Sequence, residues 1–274
     1  MVKVSICVPA YKNPVGVERL LESIKVQSFT DYEVVVTDDS PDGSVEEVVR
    51  RAEVPGIVYV RNAVRKGATG NWNEAVRHAS GEYIKIMHHD DWFTDRDCLA
   101  RFVEMLEEHP EADVIYTDED KVTTDLSEHF QPHLKPDFNL DLLRSNNYIC
   151  HFLVVRRSVV QTVGGFRREF DGAQDYDFIF RCVEQAREVI HVPEILYHWR
   201  THKSSTADNP ASKMYAFEAG RRAIEGNLKR TGTPGTVEHT PDFGFYRVKY
   251  PVQGEPLVSV IIPNREEKET LQAC

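Results

Sequence analysis

Two acidic pairs stand where apolar strands run out. Glu33-Val34-Val35-Val36 leads into Thr37-Asp38-Asp39-Ser40, and Tyr83-Ile84-Lys85-Ile86-Met87 leads into His88-His89-Asp90-Asp91. Hard divalent cations such as Mg²⁺ or Mn²⁺ take oxygen ligands, and a carboxylate pair suits an ion that must also bind phosphate oxygens. Ligands of open α/β sheets bind just beyond the carboxyl ends of the strands. The spacing therefore points to a ligand that donates hydrogen bonds and carries a metal, and a sugar nucleotide with a divalent cation has that chemistry. Further on, Gly172-Ala173-Gln174-Asp175-Tyr176-Asp177 opens a predicted helix with two carboxylates. Tyr197-His198-Trp199-Arg200-Thr201-His202-Lys203-Ser204-Ser205 crowds hydrogen-bond donors and imidazoles together.

The elements that must position these groups follow from apolar periodicity. Residues 4–9 read as a buried strand closed by Pro9, and Val17, Leu20, Leu21 and Ile24 repeat at the i, i+3, i+4, i+7 spacing of one helix face. Strands 33–36, 57–60 and 83–87 follow. Each is succeeded by a helical pattern: Val45, Val48, Val49 and Ala52; Trp72, Ala75, Val76 and Ala79; Leu99, Phe102, Val103 and Leu106. Four strand–helix units with short connections predict a parallel sheet covered on both faces. In the second half, strands are predicted at 114–116, 150–155 and 189–192. The polar stretch 121–140 reads as a loop, and Gly164-Gly165-Phe166 as a turn. A helix carries Ile179, Cys182, Val183 and Ala186, and a long helix spans about 211–230.

Composition bounds the function. The 274 residues suffice for an ample core, and a formal charge of −11 argues against duplex nucleic acid or an anionic membrane as the main partner. No apolar run approaches the roughly 18 residues of a membrane-spanning helix, and Val2-Lys3-Val4-Ser5-Ile6 reads directly as a strand, so a signal peptide is not expected. Cys7, Cys98, Cys150, Cys182 and Cys274 are odd in number and lack metal-ligand spacing. Cys7 and Cys182 fall on apolar faces as small core residues, so a reducing cytoplasm is the expected compartment.

Taken together, VSICVPAYKN, TDDSPDGS, the Lys-Gly turn before Asn-Trp-Asn, GEYIKIMHHDD, GGFRREFDGAQDYD and LYHWRTHKSS occur in one order. In that order and spacing the chain resembles family 2 glycosyltransferases of the GT-A fold, over about residues 3–206. The resemblance implies an α/β, GT-A type nucleotide-diphospho-sugar transferase fold with a mostly parallel central sheet flanked by helices. It implies that Pro9, Ala10 and Tyr11 frame the nucleoside and that Asp39 accepts a hydrogen bond from the base. Lys66, Asn73, Asp90 and Arg200 then lie near the nucleotide, while Asp91, Asp90 and His202 hold a divalent cation, Mn²⁺ or Mg²⁺. Asp175 is the implied base that takes the proton of the attacking acceptor hydroxyl.

Other readings stand beside several of these residues. Asp38, Asp39 and Ser40 also suit capping of the helix that begins near Ser44, with Asp38 the more structural of the two carboxylates. Arg65 fits a solvated loop as well as a phosphate contact, and Asp177 suits the helix dipole better than Asp175 does. Trp199 reads equally as wall and as acceptor platform. His88 replaces the first carboxylate of the family's Asp-x-Asp-Asp, either as a ligand to Mn²⁺ or as a histidine behind the ligands.

The expected activity is inverting, metal-dependent transfer from a UDP- or dTDP-sugar to a glycan or lipid-linked acceptor in surface polysaccharide synthesis. The partners are that donor and acceptor, with no nucleic acid and an allowance for peripheral membrane association through a parent protein. A nucleotide-sugar-binding module without catalysis is the competing class. A Rossmann dehydrogenase or a pyrophosphorylase is set aside, because Val8-Pro9-Ala10-Tyr11-Lys12-Asn13 has no glycine-rich phosphate loop. The expected organisation is a transferase domain over 1–206 (nucleotide part about 1–120, acceptor side about 121–206), then a C-terminal helix and linker over 207–256. Val258-Ser259-Val260-Ile261-Ile262-Pro263 echoes Val4-Ser5-Ile6-Cys7-Val8-Pro9, so 257–274 is expected to begin a second, truncated domain of the same kind.

Overall fold

The computed structural model describes residues 2–123, 125–201, 214–263, 265 and 268–273. The first half alternates β1 (Val4–Ala10), α1 (Pro14–Lys25), β2 (Tyr32–Asp38), α2 (Ser44–Ala52), β3 (Ile57–Arg61), α3 (Gly67–His78) and β4 (Tyr83–Ile86). A two-residue strand, β5 (Trp92–Phe93), precedes α4 (Cys98–Glu108). The strands β3, β2, β1 and β4 lie side by side and parallel, as expected. The chain leaves β1 for β2 on one side and later returns to place β4 on the other, which creates the switch point where α/β sheets bind ligands.

Period-two alternation sorts β1 between two cores. Val4, Ile6 and Val8 join Val17, Leu20, Leu21 and Ile24 of α1 on one face, while Cys7 faces Ala75 of α3 on the other. Every residue of β1 is buried, as a strand covered on both faces requires. Each fully buried Leu or Ile of α1 contributes about 1.5–3 kcal/mol. Asn13 caps α1, its Oδ1 accepting from Gly16 N at 3.2 Å, and Pro14 supplies the preset first-turn φ.

The second half adds β6 (Ala112–Val122), β7 (His129–His133), α5 (Leu140–Leu143), β8 (Leu153–Arg156), α6 (Arg157–Val163), α7 (Gln174–Gln185) and β9 (Glu188–Arg200). The sheet continues from β4 through β8, β6 and β9 to β5, and β7 pairs with β6 on its own branch. Pairings β4–β8 and β8–β6 are antiparallel, and β6–β9 is parallel.

Three expectations change here. The predicted loop 121–140 contains a hairpin instead, because β6 runs on to Val122 and pairs with β7. Its charged residues are held by partners from elsewhere in the chain. Buried Glu119 meets Lys135 Nζ at 3.3 Å, and Asp118 accepts from Lys135 N and from His191, each at 2.8 Å. Such pairing leaves no apolar alternation to read. The strand predicted at 150–155 starts only at Leu153, since His151 takes a left-handed φ of 88° that breaks the ladder.

The third change concerns 207–256, expected as a helix and linker. Following α8 (Met214–Arg230), β10 (Thr236–His239) and β11 (Tyr246–Lys249) form an antiparallel hairpin. Val237 and Tyr246 pack with Ala219, Ala223 and Ile224 of α8 and with Tyr176 and Phe180 of α7 in one core. The Tyr246 hydroxyl donates to Phe217 O at 2.9 Å. The hairpin and α8 thus share a core with α7. Residues 258–263 form no strand and their apolar side chains are 49 to 88 % exposed; a short helix, α9 (Lys268–Ala273), follows them. Among the described residues no helix is long and apolar enough to cross a membrane, and Cys7, Cys98, Cys150 and Cys182 are free thiols.

Candidate active site

Two cavities open at the carboxyl ends of β1, β2 and β4, and they share Trp72, His88 and Asp90 as a common wall. The smaller, about 260 Å³, is lined by Pro9, Tyr11, Asp39, Arg65, Gly67 and Asn71 among others. Its walls are fastened by one carboxylate. Asp39 accepts from Asn62 Nδ2 at 2.8 Å, from Lys66 N at 3.0 Å and from Gly67 N at 2.8 Å. A positive φ of 74° at Gly67 turns those successive amides toward the same carboxylate. Asp39 therefore clamps the 62–67 loop over the end of β2 and still presents charged oxygen to the cavity.

Asn71 locks the same corner from α3. Its Nδ2 donates to Ala10 O at 2.9 Å and Thr37 O at 3.2 Å, and its Oδ1 accepts from Asn62 at 2.8 Å. The Tyr11 ring carries two cations, with the Arg65 guanidinium carbon 4.4 Å and Lys12 Nζ 5.3 Å from its centroid. Asp38 is wholly buried, taking Ser40 N and the Tyr59 hydroxyl at 2.8 Å each. It has the structural role expected of it. Neither Asp38 nor Asp39 caps α2, whose N-cap is Gly43 with no side-chain cap.

The larger cavity, about 310 Å³, lies between the loop after β4, the end of β9 and the first turn of α7. Asp175 lines it and accepts one hydrogen bond, from Asn147 Nδ2 at 2.9 Å. Asp177, two positions on, points instead into the protein. It is fully buried between Arg167, whose Nε donates at 2.9 Å, and Arg181, whose Nε donates at 2.9 Å. Of the two carboxylates that open α7, Asp175 alone borders the cavity. Trp199 forms wall, its ring stacked on His151 at 4.4 Å.

Asp90 borders both cavities, whereas Asp91 is 1 % exposed and anchored from two sides. The Tyr197 hydroxyl donates to Asp91 Oδ2 at 2.6 Å, Arg200 N donates to Oδ1 at 3.0 Å, and His88 Nδ1 sits 3.3 Å from Oδ2. Burial alone raises the Asp91 pKa, but His88, His151 and Tyr197 outweigh it and hold the group below the ordinary carboxylate range. Asp91 is therefore ionised, and its Oδ1, which accepts only from the Arg200 amide, keeps a lone pair free. Two adjacent carboxylates of this kind suit a hard divalent cation.

His88 lines both cavities beside Asp91, with its ring 5.3 Å from Trp72 and 5.7 Å from His151. Sequence reasoning missed His151. Burial lowers its pKa, but Glu119 at 3.1 Å and Cys150 raise it further, so the ring is held well above its usual pKa and is charged. Beneath it Lys85 is wholly buried and donates to His151 O at 2.8 Å. Burial pushes its pKa down to about 7 against the pull of Asp91.

Most of the predicted residues come together. Pro9, Tyr11, Asp39 and Asp90 line the smaller cavity and Asp90, Asp91, Asp175 and Arg200 the larger. Ala10 lies just behind, buried, and acts through its carbonyl on Asn71. Two predicted residues face elsewhere. The Lys66 ammonium turns away to Glu74 at 2.5 Å, and Arg65 takes its place on the cavity wall. Asn73 exchanges 2.8 Å hydrogen bonds with the backbone of Phe166, tying α3 to the Gly164-Gly165 turn, and Asn71 is the asparagine that lines the smaller cavity. The motif Asn-Trp-Asn held both, but only packing shows which one turns inward. His202, together with Ser204 and Ser205, lies outside the described residues.

The family model for glycosyl transferase family 2 matches residues 5–164. This chain belongs to that family. Among curated relatives of this family 2 glycosyltransferase, an uncharacterized protein, y4gI, of Sinorhizobium fredii is 40% identical over 98% of the chain and 30% of its own length. The O-antigen biosynthesis protein RfbC of Myxococcus xanthus is 34% identical over 92% of the chain and 20% of its own length. The chain thus spans less than a third of these relatives. Solved structures share the fold: S. aureus TarS 1-349 in complex with UDP-GlcNAc aligns with a TM-score of 0.67 at 20% identity, over 82% of this chain and 66% of that one. The mannosyltransferase PcManGT of Pyrobaculum calidifontis, in complex with GDP-Man and Mn²⁺, aligns with a TM-score of 0.58 at 20% identity, over 84% and 75%. The fold is the GT-A-like fold of family 2, a curled and mostly parallel sheet flanked by helices.

Proposed function

We propose that this domain transfers a sugar, with inversion, from a UDP- or dTDP-sugar to a hydroxyl of a glycan or lipid-linked acceptor in the cytoplasmic assembly of a surface polysaccharide. The observation that carries the reading is the pair of cavities joined at Trp72, His88 and Asp90, with the Asp175 carboxylate in the larger one. The nucleoside fits the smaller cavity against Tyr11 and Asp39, with Arg65 beside it. The acceptor fits the larger cavity, where Asp175 takes the proton of its hydroxyl as that oxygen attacks the anomeric carbon. The leaving diphosphate then lies on the Asp90 side of the sugar and the attacking oxygen on the Asp175 side, the arrangement that inversion requires.

Asp90 and Asp91 are the groups that would hold Mn²⁺ or Mg²⁺, and such an ion supplies charge neutralisation of the diphosphate leaving group. Asn147 orients Asp175 through its Nδ2, and His88, His151 and Tyr197 hold Asp91 ionised. The Mn²⁺ complex of PcManGT, the UDP-GlcNAc complex of TarS and the O-antigen role named for RfbC support this reading by similarity. We further propose that 257–274 open a second domain of the same family, on the likeness of 258–263 to 4–9 and the exposure of its apolar side chains.

A thermal-shift screen of UDP, dTDP, GDP and CMP, each with and without Mn²⁺, tests the reading. A ligand of the native state at about 100 times its Kd stabilises by roughly 2.7 kcal/mol. UDP or dTDP should raise Tm, more so with Mn²⁺, and release of UDP or dTDP from the matching sugar nucleotide separates an enzyme from a mere binding module. A flat response to all four nucleotides would overturn it.

A further inference from the structure

The wall of β9 that faces the cavity carries Tyr197 and Trp199, so His198 projects from the opposite face of the sheet. There it meets Asp120 of β6 and His129 of β7. His198 Nδ1 lies 2.5 Å from one Asp120 oxygen and His129 Nδ1 lies 3.1 Å from the other, and the imidazole centroids are 4.4 Å apart. One ligand atom from each of the three residues falls within 4.8 Å of the other two. These side chains are fixed by hydrogen-bonded strands, since Asp120 is the ladder partner of His198 and Val122 that of His129. Asp120 and His198 are largely buried and His129 is half exposed, so one side of the cluster stays open to water.

From this we infer that Asp120, His129 and His198 form a Zn²⁺ site, separate from the transferase centre, that staples the β6–β7 hairpin to β9. Two imidazoles and one carboxylate suit a borderline cation such as Zn²⁺ and not Mg²⁺, which prefers oxygen donors alone. Zinc held about 2 Å from tetrahedrally placed donors needs them about 3.3 Å apart, so small rotations from the present imidazole–carboxylate spacings would seat the ion. Three protein ligands leave a fourth position for water on the open side. Its role is structural, since β9 carries Tyr197 and the backbone of Arg200 to Asp91, and fixing that strand steadies the carboxylate.

The test uses the full chain, free of any polyhistidine tag and stripped with chelator. Titration calorimetry should give one Zn²⁺ per chain, and Co²⁺ in its place should give the visible absorption of a nitrogen- and oxygen-ligated ion. His129→Ala, a change on a half-exposed hairpin, should abolish the Co²⁺ spectrum and weaken Zn²⁺ by more than the roughly 10- to 100-fold that loss of a mere supporting partner costs. Circular dichroism checks that the variant is folded. If it is not, the wild-type stoichiometry and Co²⁺ spectrum decide alone. Cys150→Ser, which removes a member of the other clustered group, Glu119, Cys150 and His151, should bind Zn²⁺ as the parent does. Absence of stoichiometric Zn²⁺ and Co²⁺ binding, or binding lost in Cys150→Ser and kept in His129→Ala, would overturn the assignment.

Discussion

Tyr197 donates its hydroxyl hydrogen to Oδ2 of Asp91 at 2.6 Å, and each of these residues is only 1 % exposed. The bond joins the loop after β4 to the far strand β9, so the direction of a carboxylate in the first half is set by the second. Asp91 thus has two tasks, holding β9 in place and facing the larger cavity, while Asp90 borders both cavities without being so enclosed.

That division separates two variants. Asp91→Ala strands a buried hydroxyl and the Arg200 amide, so it should lower stability by several kcal/mol as well as weaken Mn²⁺-dependent nucleotide binding. Tyr197→Phe loses one bond to a charged acceptor, about 1.5–3 kcal/mol. Asp90→Ala should leave the urea midpoint near that of the parent and remove only the metal-dependent part of nucleotide affinity. Urea denaturation and calorimetry on the three proteins check this, and a stable Asp91→Ala protein would contradict the anchoring role.

At the mouth of α7, Asp175→Asn keeps size and the Asn147 contact's geometry but cannot accept a proton. Turnover should fall by about 10²–10⁴ with donor affinity kept. Asp177→Asn should do the reverse, since it removes the charge facing Arg167 and Arg181 and acts on stability first. Initial rates with the true acceptor, paired with melting curves, tell the two apart. Near-native turnover in Asp175→Asn would reassign the base.

Acid stability should report on Asp113. Burial raises its pKa, but hydrogen bonds from Arg187 and Arg156 outweigh that and hold the carboxyl at about 2. A folded pKa depressed from 3.8 contributes stability in full above pH 3.8 and loses it as pH falls toward 2. The shift is worth up to about 2 kcal/mol. The Tm difference between the parent and Asp113→Asn should therefore be widest above pH 5 and close only as pH falls to about 2 and below. A difference that is constant with pH would show that the pair contributes no charge-dependent stability.

Removal of 257–274 should change stability by no more than about 0.5 kcal/mol, because Leu257, Val258, Val260 and Ile261 are 75 to 96 % exposed and bury little here. Nucleotide binding should be unaffected. Denaturation of the shortened chain checks this, and a large drop in midpoint would mean that the segment packs on this domain after all.

The amino-acid sequence by itself determined the βα alternation, the parallel half-sheet and the strand ends that carry Pro9, Tyr11, Asp39, Asp90 and Asp91. Apolar periodicity is a local property, and Val17, Leu20, Leu21 and Ile24 declare their face without reference to anything distant. The ordered motifs likewise exposed Asp175. Tertiary structure alone decided what depends on partners far along the chain. Asn71 and not Asn73 turns to the smaller cavity because Phe166 claims Asn73, and Arg65 and not Lys66 lines it because Glu74 claims Lys66. The charged end of β6 is a strand because Lys135 and His151 neutralise Glu119 and His191 shares a hydrogen bond with Asp118. A buried charge is stable only where its counter-charge is brought to it, and that meeting is fixed by the fold, not by spacing in the sequence.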